Sequence, residues 1–168
     1  MADRRRMILI IAYGNSLRRD DGAGLMLAEI LERIWKERNL KVHRESVHQL
    51  TPELAELMAG DAISVVIFVD TRVIPPGSDS LRIEASRLAS PEDFSPGMGH
   101  HMGPLTLMAY ARYLYGKTPD AWLVTVPGID FDHGEGFSDA TAGALSKVGD
   151  FLEAMPRNWP LVESSPGP

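Results

Sequence analysis

Met7-Ile8-Leu9-Ile10-Ile11-Ala12-Tyr13-Gly14-Asn15-Ser16-Leu17-Arg18-Arg19-Asp20-Asp21-Gly22-Ala23-Gly24 reads as a strand, a polar loop and the start of a helix. The run from Met7 to Tyr13 is apolar and of strand length, Gly14-Asn15 is a turn signal, and an acidic pair stands just before a helical pattern. In an open α/β sheet the loop beyond the carboxyl end of a strand is where ligands bind, so paired carboxylates there are placed for chemistry rather than packing. The competing reading is that Asp20 and Asp21 cap the helix, since free N–H groups and the macrodipole favour acidic residues in a first turn. Two in a row followed by Gly-Ala-Gly exceed what a cap needs.

Outward from that stretch, Leu27, Ile30, Leu31 and Ile34 recur at helical spacing while Glu29, Glu32, Arg33 and Lys36 take the other face, which predicts an amphipathic helix over residues 24–38 packed on a sheet. Asn39 ends it. Residues 41–50 alternate but are rather polar, as an edge strand is, and His43 and His48 are expected to be solvated residues of that edge. Thr51-Pro52-Glu53-Leu54 predicts a helix start with Thr51 as cap and Pro52 in first position, and Leu54, Leu57 and Met58 give a short helix its apolar side.

Ala62-Ile63-Ser64-Val65-Val66-Ile67-Phe68-Val69 is the strongest strand, apolar on both faces and therefore central and parallel. Asp70 follows directly. A carboxylate at the carboxyl end of a buried strand is costly unless it is paired, hydrogen-bonded or holding a metal. It can instead cap its own loop through an Asx turn. Residues 71–79 are a loop, residues 80–85 alternate as a short antiparallel or edge strand, and residues 86–99 carry no periodicity, as in an active-site loop or flap.

That loop leads to Gly99-His100-His101-Met102-Gly103-Pro104, after which apolar spacing predicts a helix to Tyr115, stopped by Gly116. Adjacent histidines point to different sides of a regular backbone, so at most one of His100 and His101 faces a shared site. Residues 120–126 form another apolar strand. The loop that follows holds Asp130, Asp132, His133 and Glu135 without the spacing of a calcium-binding loop. Ser138 starts a last helix with Leu145, Val148, Leu152 and Met155 inward; beyond Pro156 the Pro, Ser and Gly content indicates a poorly ordered tail. The expected organisation is one domain over residues 1–156 and a tail over residues 157–168.

Composition agrees with a single domain: 168 residues, 44% hydrophobic and 24% charged, are enough for a real core. A formal net charge of -6 argues against non-specific nucleic-acid binding and suits a protein or cationic partner. The absence of cysteine excludes disulfides, thiolate metal sites and a cysteine nucleophile, so any metal must sit on oxygen and imidazole ligands. The basic start and the short apolar run after it mimic a signal peptide only faintly, because they lead into Gly-Asn-Ser rather than a cleavage site. The expectation is a soluble cytoplasmic monomer.

These elements alternate as a three-layer αβα sandwich, an α/β fold of the phosphorylase/hydrolase-like kind with a twisted, mostly parallel sheet of about five strands. In it Asp21, Asp70 and one of His100 or His101 converge from three loops. Two carboxylates and an imidazole suit a divalent metal of hard-to-borderline character.

The order Gly14-Asn15-x-Leu17-x-x-Asp20-Asp21-Gly22-x-Gly24 after an apolar strand resembles the opening of the hydrogenase maturation proteases, the endopeptidases that trim the carboxyl terminus of nickel-iron hydrogenase large-subunit precursors. That family usually has Gly-x-Gly-Asn where this chain has Ala12-Tyr13-Gly14-Asn15. The run Gln49-Leu50-Thr51-Pro52-Glu53-Leu54-Ala55 is similar to a second motif of one branch, the histidine segment resembles a His-x-Leu-Gly motif, and the family too places a serine at the last helix start. The resemblance spans residues 7–152. It implies that Asp21, Asp70 and the histidine contact the nickel carried by the precursor, in a site whose ligands also suit another divalent metal. A carboxylate near a second one and partly desolvated has a raised pKa, so Asp21 or Asp70 is expected to act as general base. Aligning Gly103 makes His100 the ligand, the register adopted here; aligning on the distance to Gly116 makes it His101.

Three rivals are weaker. A signalling receiver domain wants a lysine near the end of its last strand, and Val124-Thr125-Val126-Pro127 supplies none. Peptidyl-tRNA hydrolases also open with a strand and Gly-Asn, but their substrate favours a basic surface. A non-catalytic, metal-dependent maturation adaptor on the same fold differs only in activity. No membrane partner is expected.

Overall fold

The computed structural model describes residues 6–89 and 102–161. An apolar strand satisfies its backbone in the interior by pairing on both edges. β1 (Met7–Tyr13), with Ile8 through Ala12 fully buried, does this between β2 (Lys41–Val47) and β3 (Ile63–Val73), parallel to both. β3 pairs in parallel with β5 (Asp120–Gly128), and β4 (Glu84–Arg87) runs antiparallel to β5 at the edge. The resulting order is β2-β1-β3-β5-β4, the five-stranded, mostly parallel sheet expected.

Strand alternation divides the core. Ile8, Ile10, Val65, Ile67, Val69 and Val124 meet α1 (Ala23–Glu37), α4 (Asp139–Leu145) and α5 (Val148–Ala154) on one face. Leu9, Ile11, Val66 and Phe68 meet α2 (Leu54–Met58) and α3 (Pro104–Tyr115) on the other. The polar pattern of β2 reflects its place at the edge, where His43 is exposed and bonds Glu45 at 2.8 Å. Among the described residues no helix is long and apolar enough to cross a membrane.

Several boundaries differ from expectation, each for a local reason. β3 does not stop at Val69 but continues past Asp70 to Val73, because β5 runs beside it as far as Gly128. β4 starts at Glu84 rather than Ser80, because the carbonyls of Ser80 and Arg82 accept from the Arg72 guanidinium instead of a ladder. Thr51 does not cap α2 with its side chain; its carbonyl accepts from the Leu54 N–H and α2 begins three residues later. The last helix is two helices, separated where the Lys147 N–H bonds back to Ala144 and the Ser146 hydroxyl to Gly143. Residues 157–161 are not loose. Trp159 is 4% exposed and packs edge-on against Trp35, Trp122 and Phe151 at 5.6 to 5.9 Å.

Candidate active site

From β1 the chain goes to β2 on one side, then crosses to β3 on the other. The connections that follow β1 and β3 therefore leave over opposite faces and open a crevice between the two strand ends, the usual ligand position in such sheets. Asp21 stands in the connection after β1. Asp70 lies on β3, next in register after the Ala12 and Val69 pair and so beside Tyr13.

The acidic pair splits its work. Asp20 is completely buried in the 3-10 turn Arg19–Gly22 and accepts four hydrogen bonds: from the N–H groups of Ile129 and Asp130, both at 2.9 Å, and from the N–H and hydroxyl of Ser138 at 2.8 and 2.7 Å. Burial alone would raise its pKa, but these donors outweigh it and hold the carboxyl below its ordinary value. Asp20 thus serves packing rather than chemistry, against the reading of both carboxylates as site groups. Backbone bonds from Asp20 to Asp130, from Arg19 to Gly134 and from Gly134 to Leu17, with the Arg19–Asp130 ion pair at 2.6 Å, join the loop after β1 to the loop after β5.

Asp21 is turned the other way. Its Oδ2 accepts from the Asn15 N–H at 2.7 Å, and it folds back over Gly14, where a Cβ would come within 2.2 Å of the Asp21 carbonyl oxygen. This close approach and a φ of +152° explain glycine at position 14.

Asp70 shares the sheet face of Val66 and Phe68, beneath α2 and α3. Its Oδ1 accepts from the Thr71 N–H at 2.7 Å, and the carboxylate also meets the Tyr13 hydroxyl. Burial, with a smaller push from the Asp21 charge, raises its pKa to about 6 despite both donors. Tyr13 is raised in turn, by burial first and by Asp70 second, so its phenol stays a neutral donor. Thr71 points to the opposite face. Its hydroxyl donates to the Asp20 carbonyl at 2.9 Å and accepts from the Gly24 N–H at 3.1 Å, tying the start of α1 to β3.

Asp21, in the connection after β1, and Asp70, on β3, thus stand at the same crevice, and the Asp21 charge reaches Asp70. His100 and His101 lie outside the described residues. Met102 and Pro104, which follow them, enter α3 on the Asp70 face, Met102 packing against the same core. Among the described residues no three His, Asp or Glu side chains form a group that could hold a metal ion. β2 ends at Val47, so His48 stands just beyond a strand end on the site's side of the sheet rather than within the edge strand. Sequence reasoning missed Tyr13 and Thr71. The available signal was their place at the ends of the two most apolar strands, and it says nothing of who their partners are.

No family model matches this chain, and no curated protein matches it. Solved structures do. The chain is similar to the [NiFe] hydrogenase maturation protease HybD from Thermococcus kodakarensis, at 20% identity and a TM-score of 0.60 over 88% of this chain and 97% of that one. It is similar to the hydrogenase maturating endopeptidase HybD from E. coli, at 20% identity and a TM-score of 0.62 over 88% and 91%. It also matches the maturation protease HycI from Thermococcus kodakarensis KOD1, at 20% identity and a TM-score of 0.59 over 90% and 92%. At this identity the likeness is one of fold, over nearly the whole of each chain.

Proposed function

We propose that this chain is an endopeptidase that removes the carboxyl-terminal extension of a nickel-iron hydrogenase large-subunit precursor after nickel insertion, the nickel in the precursor serving in recognition. The observation that carries the reading is the pair Asp21 and Asp70 at the crevice between β1 and β3, with Asp70 held near half-ionisation at pH 6. The motif resemblance and the fold shared with the HybD and HycI proteases support it.

Peptide hydrolysis needs a water made nucleophilic and a carbonyl made electrophilic. A carboxylate with a pKa near 6 is mostly ionised at neutral pH yet basic enough to take a proton from water. In this reading Asp70 takes that proton while the water oxygen bonds to the scissile carbonyl carbon. The proton then passes to the amide nitrogen as the C–N bond breaks, and Asp70 is again a carboxylate. Asp21, with one oxygen committed to Asn15, offers the other to the substrate. Two carboxylates and a histidine from residues 100–101 suit a divalent cation but form an incomplete set, so the precursor's own ligands must complete the shell. The protein acts on this reading as a cytoplasmic monomer whose partner is the precursor.

The test is incubation of the purified protein with nickel-loaded and nickel-free precursors, reading the carboxyl-terminal mass. Loss of the extension from the nickel-loaded form alone is expected. Equal cleavage of both would remove nickel from the recognition step, and tight binding without cleavage would favour the adaptor. His100→Ala should weaken discrimination between the precursors while His43→Ala should not; an effect of His101→Ala in its place would shift the histidine register by one.

A further inference from the structure

A second cavity, of about 580 Å³, lies at the end of the sheet remote from the crevice. Its walls come from the residue before β1, the end of α1, the residue before β2 and the chain after α5. It therefore sits at the amino end of β1, whose carboxyl end frames the crevice. Arg6, Arg38 and Arg157 bring guanidinium groups to it from three separate segments, and no Asp or Glu lines it. Like charges gathered on one cavity repel unless an anion is held among them, and here they gather in a chain of net charge -6.

Arg38 alone has an ordinary explanation, since a cation at the end of α1 suits the helix dipole. Arg157 stands beyond α5 and has no such reason to be there. Arg19, Arg44, Arg72 and Arg87 each pair with a carboxylate, whereas Arg38 and Arg157 form no ion pair among the described residues. Leu40, Leu161 and Trp159 supply an apolar wall. Trp159 is 4% exposed, yet its indole N–H has no hydrogen-bond partner among the described residues. Trp35 shares that lack but does not line the cavity. A buried donor without an acceptor is unfavourable.

We propose that this cavity binds an organic phosphate, the arginines taking the phosphoryl oxygens and the apolar wall the organic body. Guanidinium forks match phosphate oxygens two at a time. The volume is that of a small-molecule site, far more than a bare phosphate ion fills. A ligand oxygen seated against Trp159 supplies the acceptor that its indole N–H lacks.

The test is calorimetric titration of the full chain with ADP, pyrophosphate and citrate, with the indole N–H signals of the three tryptophans followed by NMR. ADP should bind saturably, raise the thermal midpoint and shift the Trp159 indole signal. Arg38→Gln and Arg157→Gln should each weaken ADP by about 10-fold or more, the worth of a charge-assisted hydrogen bond. Both side chains are exposed, so neither substitution threatens the fold. Pyrophosphate, which lacks the organic body, should bind roughly 10-fold more weakly than ADP. Asp70→Asn should bind ADP as the unmodified chain does, because it alters only the crevice. Absence of saturable ADP binding, an unmoved Trp159 signal, or an affinity indifferent to both arginine substitutions overturns the inference. Loss of binding in Asp70→Asn would place the anion at the crevice and overturn it too. Pyrophosphate or citrate binding as tightly as ADP would overturn the assignment to an organic phosphate.

Discussion

Asp20 and Asp21 differ in the direction their side chains leave one short turn, and that direction assigns one to the interior and the other to the crevice. Asp70 is set apart by a pKa raised to about 6 through burial, which ties both stability and activity to pH. The folded protein holds the Asp70 proton more tightly than the unfolded chain, so between about pH 4, the ordinary carboxyl value, and pH 6 the native state carries the extra proton. Stability from this group is therefore present at low pH and lost as pH rises through that window. Asp70→Asn, which can keep the Thr71 hydrogen bond, should match the unmodified protein below about pH 4 and exceed its stability above pH 6 by on the order of 1 kcal/mol, discounted for solvent screening, in urea denaturation. The same substitution should abolish processing, while kcat/KM of the unmodified protein rises with pH through about 6. A fold lost along with the activity would make Asp70 structural.

The elements around the crevice are held by their ends. α1 has no side-chain cap of its own; the Gly24 N–H is taken by Thr71 from β3, and the loop after β1 is stitched to the loop after β5 through Asp20. Glycines mark the tightest approaches. A methyl group at Gly14 would come within 2.2 Å of the Asp21 carbonyl oxygen in a backbone conformation that L residues rarely adopt. Gly14→Ala should therefore push Asp21 out of place and cost roughly 100-fold in kcat/KM, the usual scale for a displacement of about 1 Å at a reacting group. Gly143→Ala is the control. Position 143 lies in α4 with open space around it, so alanine should leave kcat/KM unchanged and raise the thermal midpoint through its better helix propensity.

At the scale of the whole molecule, the domain closes on itself away from the crevice. All three tryptophans of the chain meet there with Phe151, and Trp159 binds the chain's late residues to the end of α1 and to β5. Trp159→Ala should cost about 3–5 kcal/mol by equilibrium denaturation, the range for emptying a large buried aromatic site. The kcat of the fraction that remains folded should be unchanged, because the rings that Trp159 packs against, Trp35, Trp122 and Phe151, are not crevice residues. A kcat that fell in proportion to the lost stability would show the two ends of the sheet to be coupled.

The periodic features were legible from the chain. Apolar runs at strand length and a helical repeat in residues 24–38 require one buried parallel sheet with helices on it, and that sheet must carry Asp21 and Asp70 at the carboxyl ends of its strands. Burial and periodicity are local properties written residue by residue, and they suffice for this much. Periodicity and composition could not distinguish Asp20 from Asp21, which only the motif resemblance separated, since both have the same chemistry and the donors that hold Asp20 in the interior stand more than a hundred positions away at Ile129, Asp130 and Ser138. Nor could they find Tyr13, whose partner is set by the register of β1 against β3, or end the tail correctly, because three aromatic rings from three elements outweigh the local proline and serine content around Trp159. Pairings between distant residues leave no periodic trace in the chain, and they arise only when the sheet fixes which strand ends face one another.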